Sequence, residues 1–311
     1  FPGRIAFQSV PENLMSKPTL VWKLDSKLAK QKVEATYLTQ SLNWRSDYVF
    51  VINDADSAGD LTGWVTLINN SGASYKNARL KLVAGDVQRV SDGDDHRRPM
   101  GGAARMSANR ERQFSEESFF EYHLYTLSQP TDVLENEQKQ VTLLEAKGAK
   151  VQKKLIYFGQ QYWYRSKYGE VQKNQKVGVY LDLQNTKDNG LGMPLPKGTV
   201  RVYKADKSGA KRFIGEDQID HTPRDEKVRI KMGEAFDVVG DRKQMEWRTL
   251  GTCTSESTWE IELRNHKDKA SRVEVFEPIG GDWTMVESTH KHEKKDAHTF
   301  TFDVNVPANG K

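Results

Sequence analysis

The feature that most constrains this chain is the alternation of apolar and polar residues in several separate stretches. In STWEIELRNH, Trp259, Ile261 and Leu263 occupy one face of an extended chain, and charged residues occupy the other. HTFTFDVNVP and KVGVYLDLQN alternate in the same way. A period of two is typical of strands with one buried face, and segments with helical periodicity are nearly missing. The sequence therefore predicts an all-β fold.

A weak internal repeat refines this prediction. WVTLINNSGASYKNARLKLVAG, VYLDLQNTKDNGLGMPLPKGTVRVYKAD and WEIELRNHKDKASRVEVFEP each consist of a strand, an Asn, a polar turn and a second strand. An Asn at a strand end can bond to nearby backbone groups or adopt a left-handed turn conformation. One such unit per sandwich favours two or three Ig-like or fibronectin-like β-sandwich modules.

Composition indicates where these modules begin and end. Residues 91–118 are rich in Gly, Arg, Ser and Asp and have little apolar content, which predicts a long mobile loop in the first half of the chain. We predict an N-terminal β-sandwich region at 1–148 that contains this loop. A middle β domain is expected at 149–245, and C-terminal Ig-like strands at 246–311.

The distribution of charge along the chain indicates which classes of partner to expect. The chain has 311 residues and a formal net charge of only +4, and its Lys and Arg residues form no long block. A nucleic-acid-binding protein usually concentrates positive charge on one face, so no nucleic-acid partner is expected. No stretch has the roughly 18 apolar residues that a membrane span requires.

The stretch GEDQIDHTPRDEKVRIKM gathers carboxylates around one imidazole. KVRIKM alternates and predicts a strand, so His221 and Asp225 are expected on a connection between strands. In one interpretation His221 is a general base supported by Asp220 or Asp225. In the other the segment is a polar turn whose acids bond backbone amides, and we favour it because no nucleophile is nearby.

A second histidine-rich stretch is THKHEKKDAH, with His290, His292 and His298. It departs from the His-Glu-x-x-His pattern, in which two imidazoles share a helical face. His290 and His292 are weak metal candidates, because residues two apart on a strand point the same way. A metal site needs further ligands that the sequence does not identify, so no metal is predicted.

Aromatic residues crowd the stretch LIYFGQQYWYRSKYGE. Read as a strand, this stretch would expose alternate rings for stacking on sugars or peptides, with core packing as the other interpretation. The binding candidates are Tyr162, Trp163, Tyr164 and Tyr168, together with Arg97, Arg98 and Arg105 of the predicted loop.

No recognised catalytic motif occurs in the chain. It contains no nucleophile elbow, phosphate-binding loop or dinucleotide fingerprint, and its single thiol, Cys253, is expected to be buried or half-buried. We therefore predict no catalytic residues and no cofactor.

Five stretches of the chain carry a resemblance to a known family: YLTQSLNWRSDYVFVINDADSAGDLTGWVTLINNSGASYKNARLKLVAGDVQRV, EESFFEYHLYTL, NGLGMPLPKGTVRVYKAD, GEDQIDHTPRDEKVRIKMGEAFDVVGDRKQ and GDWTMVESTHKHEKKDAHTFTFDVNVPANG. They resemble the domain of unknown function 4139 family, which is related to mucoidy-inhibitor-A-like bacterial proteins. The resemblance implies an extracytoplasmic protein, either periplasmic or secreted, and carries no catalytic residue onto this chain.

These observations lead to one expected function and two alternatives. We expect a non-enzymatic binding or interaction module for an unknown protein or a cell-envelope polymer. The first alternative is a hydrolase or metal-dependent enzyme that uses His221 or the His290, His292 and His298 region. The second is a carbohydrate-binding protein that uses exposed aromatic residues in 157–168.

Overall fold

A computed structural model describes residues 21–28, 30–85 and 114–311 of the chain. The chain divides into two compact units, residues 1–39 and residues 40–311. In the first unit, the described residues 21–28 and 30–39 form neither strand nor helix. All the regular elements below belong to the second unit.

Strands dominate the second unit, and the prediction of an all-β fold is confirmed. The strands of the described residues are β1 (Leu42–Ile52), β2 (Ala58–Asn69), β3 (Tyr75–Ala78), β4 (Lys81–Ala84), β5 (Phe114–Phe119), β6 (Tyr122–Leu127), β7 (Thr131–Val133), β8 (Glu137–Phe158), β9 (Glu170–Gln184), β10 (Gly198–Ala205), β11 (Lys211–Ile219), β12 (Lys227–Gly251), β13 (Thr254–Asn265), β14 (Ser271–Pro278), β15 (His292–Asp296) and β16 (Thr299–Val306). Two short 3-10 helices, Gln161–Arg165 and Lys187–Asn189, interrupt them. Within the described ranges, no helix has the length and apolar character required to cross a membrane.

The strands form one large sheet and two small ones. The large sheet has the order β11-β10-β1-β2-β8-β14-β16-β15, and β9 joins it at β8 and continues to β12 and β13. Neighbours are antiparallel except for β1 with β10 and β8 with β14, which are parallel. The small sheets are β3-β7 and β4-β6-β5.

The alternation in the sequence becomes alternation in burial. In β1, Tyr48, Phe50 and Ile52 are buried, and the residues between them are only partly covered. The first hydrophobic core joins such residues of the large sheet to Leu82 of β4 and Tyr125 of β6. The small sheet β4-β6-β5 therefore packs against the large one through this core.

A second core lies at the other end of the long strands. It contains Leu155, Val177, Val238, Leu263 and Val275, which come from β8, β9, β12, β13 and β14. Earlier or later residues of β8, β9 and β12 contribute to the first core. These three strands consequently run through both cores.

The long strands cover the predicted domain boundaries. Residue 148 lies within β8, and residue 245 lies within β12. The division into 1–148, 149–245 and 246–311 stays a prediction. Of the predicted loop at 91–118, residues 91–113 lie outside the described residues, as do Arg97, Arg98 and Arg105, and residues 114–118 belong to β5.

The repeated Asn has the backbone-bonding role that the sequence predicts. Asn265 ends β13 and is buried. Its Nδ2 donates to the carbonyl oxygens of Lys269 (2.8 Å), Val306 (3.3 Å) and Pro307 (3.0 Å). Its Oδ1 accepts a bond from the Lys267 amide (3.1 Å). One side chain thus joins the turn after β13 to the end of β16.

Asn69, at the end of β2, makes an equivalent set of bonds. Its Nδ2 donates to Ala73, four residues further on, and to the consecutive carbonyls of Val133 and Leu134. Asn185, which follows β9, donates to the carbonyls of Met193 and Pro223, both at 2.8 Å. All three repeat units therefore place a buried amide where a strand ends.

Candidate functional site

The aromatic stretch forms a turn of 3-10 helix, so the strand interpretation of its YWY segment is wrong. Gln161–Arg165 adopts three residues per turn between β8 and β9. Trp163 points inward and is 5% exposed, whereas Tyr162 remains 52% exposed. Tyr164 and Tyr168 are partly buried. This 3-10 turn covers a cluster of buried polar side chains.

At the centre of that cluster is Arg242, on the inner face of β12. Its side chain is 1% exposed, and its guanidinium lies 4.9 Å from the ring centroids of both Tyr157 and Trp163. Nη1 donates to the Phe158 carbonyl at 3.2 Å and to the Gln172 side chain at 3.0 Å. Cation–π contacts are strong when the cation is desolvated, so the two rings hold the guanidinium firmly.

The partner of this arginine is Glu277 of β14, which is fully buried. Nη2 of Arg242 donates to Oε1 of Glu277, and the Tyr164 hydroxyl donates to Oε2 at 2.7 Å. Burial raises the pKa of the Glu277 carboxyl, while Arg242 and Tyr164 act in the opposite direction. Burial, followed by the charge of Glu277, also raises the pKa of Tyr164 well above the ordinary value for tyrosine. The hydroxyl thus stays protonated and donates to the carboxylate.

Gly159 makes room for this carboxylate. A Cβ at residue 159 would collide with Oε2 of Glu277, so the residue that directly follows β8 must lack a side chain. The Gly159 amide donates to the Phe276 carbonyl at 2.8 Å, which ties the end of β8 to β14. Both members of the pair, Arg242 and Glu277, are thus shielded from solvent, with side-chain exposures of 1% and 0%.

A second internal contact anchors the segment after the helix. Gln244 of β12 is 5% exposed, and its amide nitrogen donates to the Ser166 carbonyl at 3.1 Å. Its side-chain oxygen accepts a bond from the Tyr168 amide at 2.5 Å. Three of the four aromatic candidates are thus occupied in fixing this turn, and Tyr162 alone among them presents most of its ring to solvent.

His221 lies between β11 and β12, on a connection as predicted. Its Nδ1 accepts a bond from the Lys197 amide at 3.2 Å. Asp220 and Asp225 are exposed, and the Asp220 carbonyl accepts a bond from the Thr222 hydroxyl at 2.9 Å. Asp225 has a φ of 65°, and its amide donates to the Asn185 carbonyl at 2.8 Å. These contacts are those of a tight turn.

The three remaining candidate histidines lie in and around β15, at the edge of the large sheet. His290 is exposed before β15, His292 is the first residue of β15, and His298 lies in the turn to β16. Across the described ranges, no three His, Cys, Asp or Glu side chains are grouped so that they could hold a metal ion. Cys253 is exposed at the turn between β12 and β13, so the expectation of a buried or half-buried thiol is wrong.

A different aromatic group lies on the solvent face of the large sheet, and Phe158 is its one member within the predicted aromatic range 157–168. Tyr180 of β9, Phe158 of β8 and Phe276 of β14 form a row across three neighbouring strands. The ring centroids are 6.0 Å apart for Tyr180 and Phe158 and 5.3 Å apart for Phe158 and Phe276. The Tyr180 ring lies over Gly178, where a Cβ would meet it at 2.8 Å. We call these three rings the aromatic row.

Cations lie beside the aromatic row. Lys154 of β8 and Lys231 of β12 are the direct cross-strand neighbours of Tyr180, and the Arg229 guanidinium lies 5.7 Å from its ring centroid. Lys227 of β12 and Lys150 of β8 continue the group and line a shallow depression. We call these five side chains the cationic patch. The alternation in KVRIKM, which places Lys227, Arg229 and Lys231 on one face, was the signal available in the sequence.

One carboxylate, Asp182, lies within the patch. Arg229 donates to both of its oxygens, at 2.7 and 2.8 Å, and Lys154 and Lys227 lie 3.8 Å away. Burial alone would raise the pKa of Asp182, but the Arg229 hydrogen bonds and the three positive charges hold it below its usual value. Asp182 therefore remains ionised and orients Arg229.

Comparison of the chain with protein-family models, with curated proteins and with solved structures gives no match.

Proposed function

We propose that this chain is a non-enzymatic, extracytoplasmic binding module for a protein or a cell-envelope polymer. The observation that supports this most directly is the enclosure of the pair formed by Arg242 and Glu277. The Glu277 carboxyl, the Arg242 guanidinium and the Tyr164 hydroxyl converge there, and each bonds to another group of the chain beneath the rings of Trp163 and Tyr157. The cluster therefore acts as a structural connection between β12 and β14, and the accessible functional groups are those on the sheet faces.

We further propose that the two cores correspond to Ig-like β-sandwich modules. The matching bonds of Asn69 and Asn265 support this, because each joins the turn after one strand to two consecutive carbonyls near the end of a distant strand. Two such modules that share β8, β9 and β12 would form a stiff scaffold with broad open faces. Open faces suit recognition of a large partner better than turnover of a small substrate.

The test separates binding from catalysis. The purified chain is immobilised and incubated with a bacterial envelope extract, and the retained material is eluted with salt and analysed by mass spectrometry. We expect one class of protein or polymer to be retained with its mass unchanged. A heat-unfolded sample of the same chain is the control and should retain none of it.

The enzymatic alternative makes the opposite prediction for the retained material. If prolonged contact with the chain cleaves or modifies it, and His221→Ala or the pair His290→Ala and His292→Ala stops the change, the chain is an enzyme and the proposal is wrong.

A further inference from the structure

The aromatic row is unusual because it occupies the solvent side of the sheet. Phe158 is 37% exposed, although its neighbours on the other side of the strand, Tyr157 and Leu155, are buried. Ile156 is also buried, and it belongs to the solvent side, opposite Gly178. The rings therefore cover a small apolar strip on a face that is otherwise polar. Aromatic rings with one free face stack readily on the apolar faces of sugar rings.

The charges around this strip are unequal. The cationic patch has five positive side chains. The carboxylates in contact with its residues are Asp182, bonded to Arg229, Glu274, which lies 3.5 Å from Lys154, and Asp217, whose Oδ2 accepts a bond from the Lys231 amide at 2.6 Å. The surplus is positive. Lys227, Arg229 and Lys231 follow one another along β12 at intervals of about 7 Å, because alternate residues of a strand share a face. Because Arg229 is already paired with Asp182, a ligand that pairs with Lys227 and Lys231 carries negative charges about 14 Å apart along an extended chain.

We propose that the solvent face formed by β12, β9, β8 and β14 binds an acidic polysaccharide that carries carboxylates. Sugar rings stack on Tyr180, Phe158 and Phe276, and the carboxylates pair with Lys227, Lys231 and Lys154. Charge complementarity selects a polyanion, and the aromatic row selects sugar rings over an acidic peptide. This inference rests on the proposed binding function and assigns it a surface and a class of ligand.

The experiment measures the dissociation constant of the whole chain for polygalacturonate by isothermal titration calorimetry at low and at physiological salt. The test variant combines Lys227→Glu with Lys231→Glu, and we expect it to bind about tenfold more weakly or worse. The control combines Lys207→Glu with Lys211→Glu, two exposed lysines of the β10–β11 hairpin, and should bind as the unchanged chain does. Neutral dextran should not bind.

The aromatic contribution is tested separately with Tyr180→Leu, which keeps an apolar side chain over Gly178. We expect this variant to lose affinity for polygalacturonate but not for poly-L-glutamate, which has the same charge and no sugar rings. Equal affinity of the unchanged chain for the two polymers would overturn the assignment to a polysaccharide. So would an equal loss of binding in the test and control lysine variants.

Failure of the acidic-polysaccharide site can be distinguished from failure of the proposed binding function. A chain that retains an unchanged envelope component in the immobilisation experiment, but does not bind polygalacturonate, is a binding module that uses another surface. That result would refute the acidic-polysaccharide site alone.

Discussion

At the scale of single residues, the fold depends on a few buried polar side chains with many partners. Asn69, Asn185 and Asn265 could be singled out from the sequence because each ends an alternating run before a polar turn. Their distant partners could not, since Val306 and Pro307 lie about forty residues beyond Asn265. The partners of Glu277 could not be predicted from the sequence either. In the sequence it resembles any other strand carboxylate, and only the fold brings Arg242 and Tyr164 to it.

The bonds of Asn265 lead to a first prediction. Asn265→Ala removes bonds to three carbonyls, one amide and the Ser271 hydroxyl, and should lower the free energy of unfolding by about 3 kcal/mol. Asn265→Asp should be at least as damaging, because its carboxylate would face the same three carbonyls. Urea denaturation measures both, with Asn305→Ala on the exposed side of β16 as control. Less than about 1 kcal/mol of destabilisation in Asn265→Ala would contradict the role assigned to this amide.

The ion pair of Asp182 leads to a prediction about pH. The pKa of Asp182 is lower in the folded chain than its ordinary value of 3.8. Its contribution is therefore fully present above that value and is lost as pH falls below it. Asp182→Asn should be less stable than the unchanged chain at pH 7, and the difference should shrink below about pH 4.

Urea denaturation at several pH values provides the measurement, and Asp268→Asn at an exposed position serves as control. A stability difference that grows on acidification would mean that burial, and not Arg229, determines the titration of Asp182.

At the scale of elements, the strands followed from the sequence and the short helix did not. Alternation in STWEIELRNH and HTFTFDVNVP predicts β13 and β16, because burial of one face is a local pattern. YWY has no such pattern, and its contact with the guanidinium of Arg242, 4.9 Å from the Trp163 ring centroid, comes from a distant strand. The aromatic row was missed for a related reason, since its three rings come from strands that only the sheet brings together.

The close fit of Gly159, just after β8, against Glu277 leads to a third prediction. Gly159→Ala places a methyl group against Oε2 of Glu277 and should destabilise the chain by about 3 kcal/mol, because it displaces one member of a buried pair. Gly169→Ala is a matched control, since a Cβ there meets no atom within 4 Å. Thermal unfolding measures both variants. Equal melting temperatures for the two would show that Glu277 can move without loss.

At the scale of the whole molecule, the two cores are connected by continuous strands. The sequence predicted several modules, but it could not show that β8, β9 and β12 each serve both cores. Strand length is hard to read from alternation, because β-bulges shift the pattern, as they do between Glu234 and Val239 in β12. Shared strands make it costly to unfold one core while the other remains.

This connection predicts a single cooperative transition for residues 40–311. Val65→Ala in the first core and Val275→Ala in the second should each lower stability by about 2 kcal/mol and shift one common transition. Scanning calorimetry tests this, with a van't Hoff enthalpy equal to the calorimetric enthalpy as the criterion. A separate low-temperature peak in Val275→Ala would show that the cores unfold independently.

The parallel pairing of β1 with β10 has a consequence for how the protein is made. Ser46 pairs with Gly198, so β1 leaves the ribosome long before its partner has been synthesised. At ordinary translation rates that delay is on the order of ten seconds. During this interval one edge of the nascent sheet is open to aggregation, and a holding chaperone that covers β1 would raise the yield of folded protein.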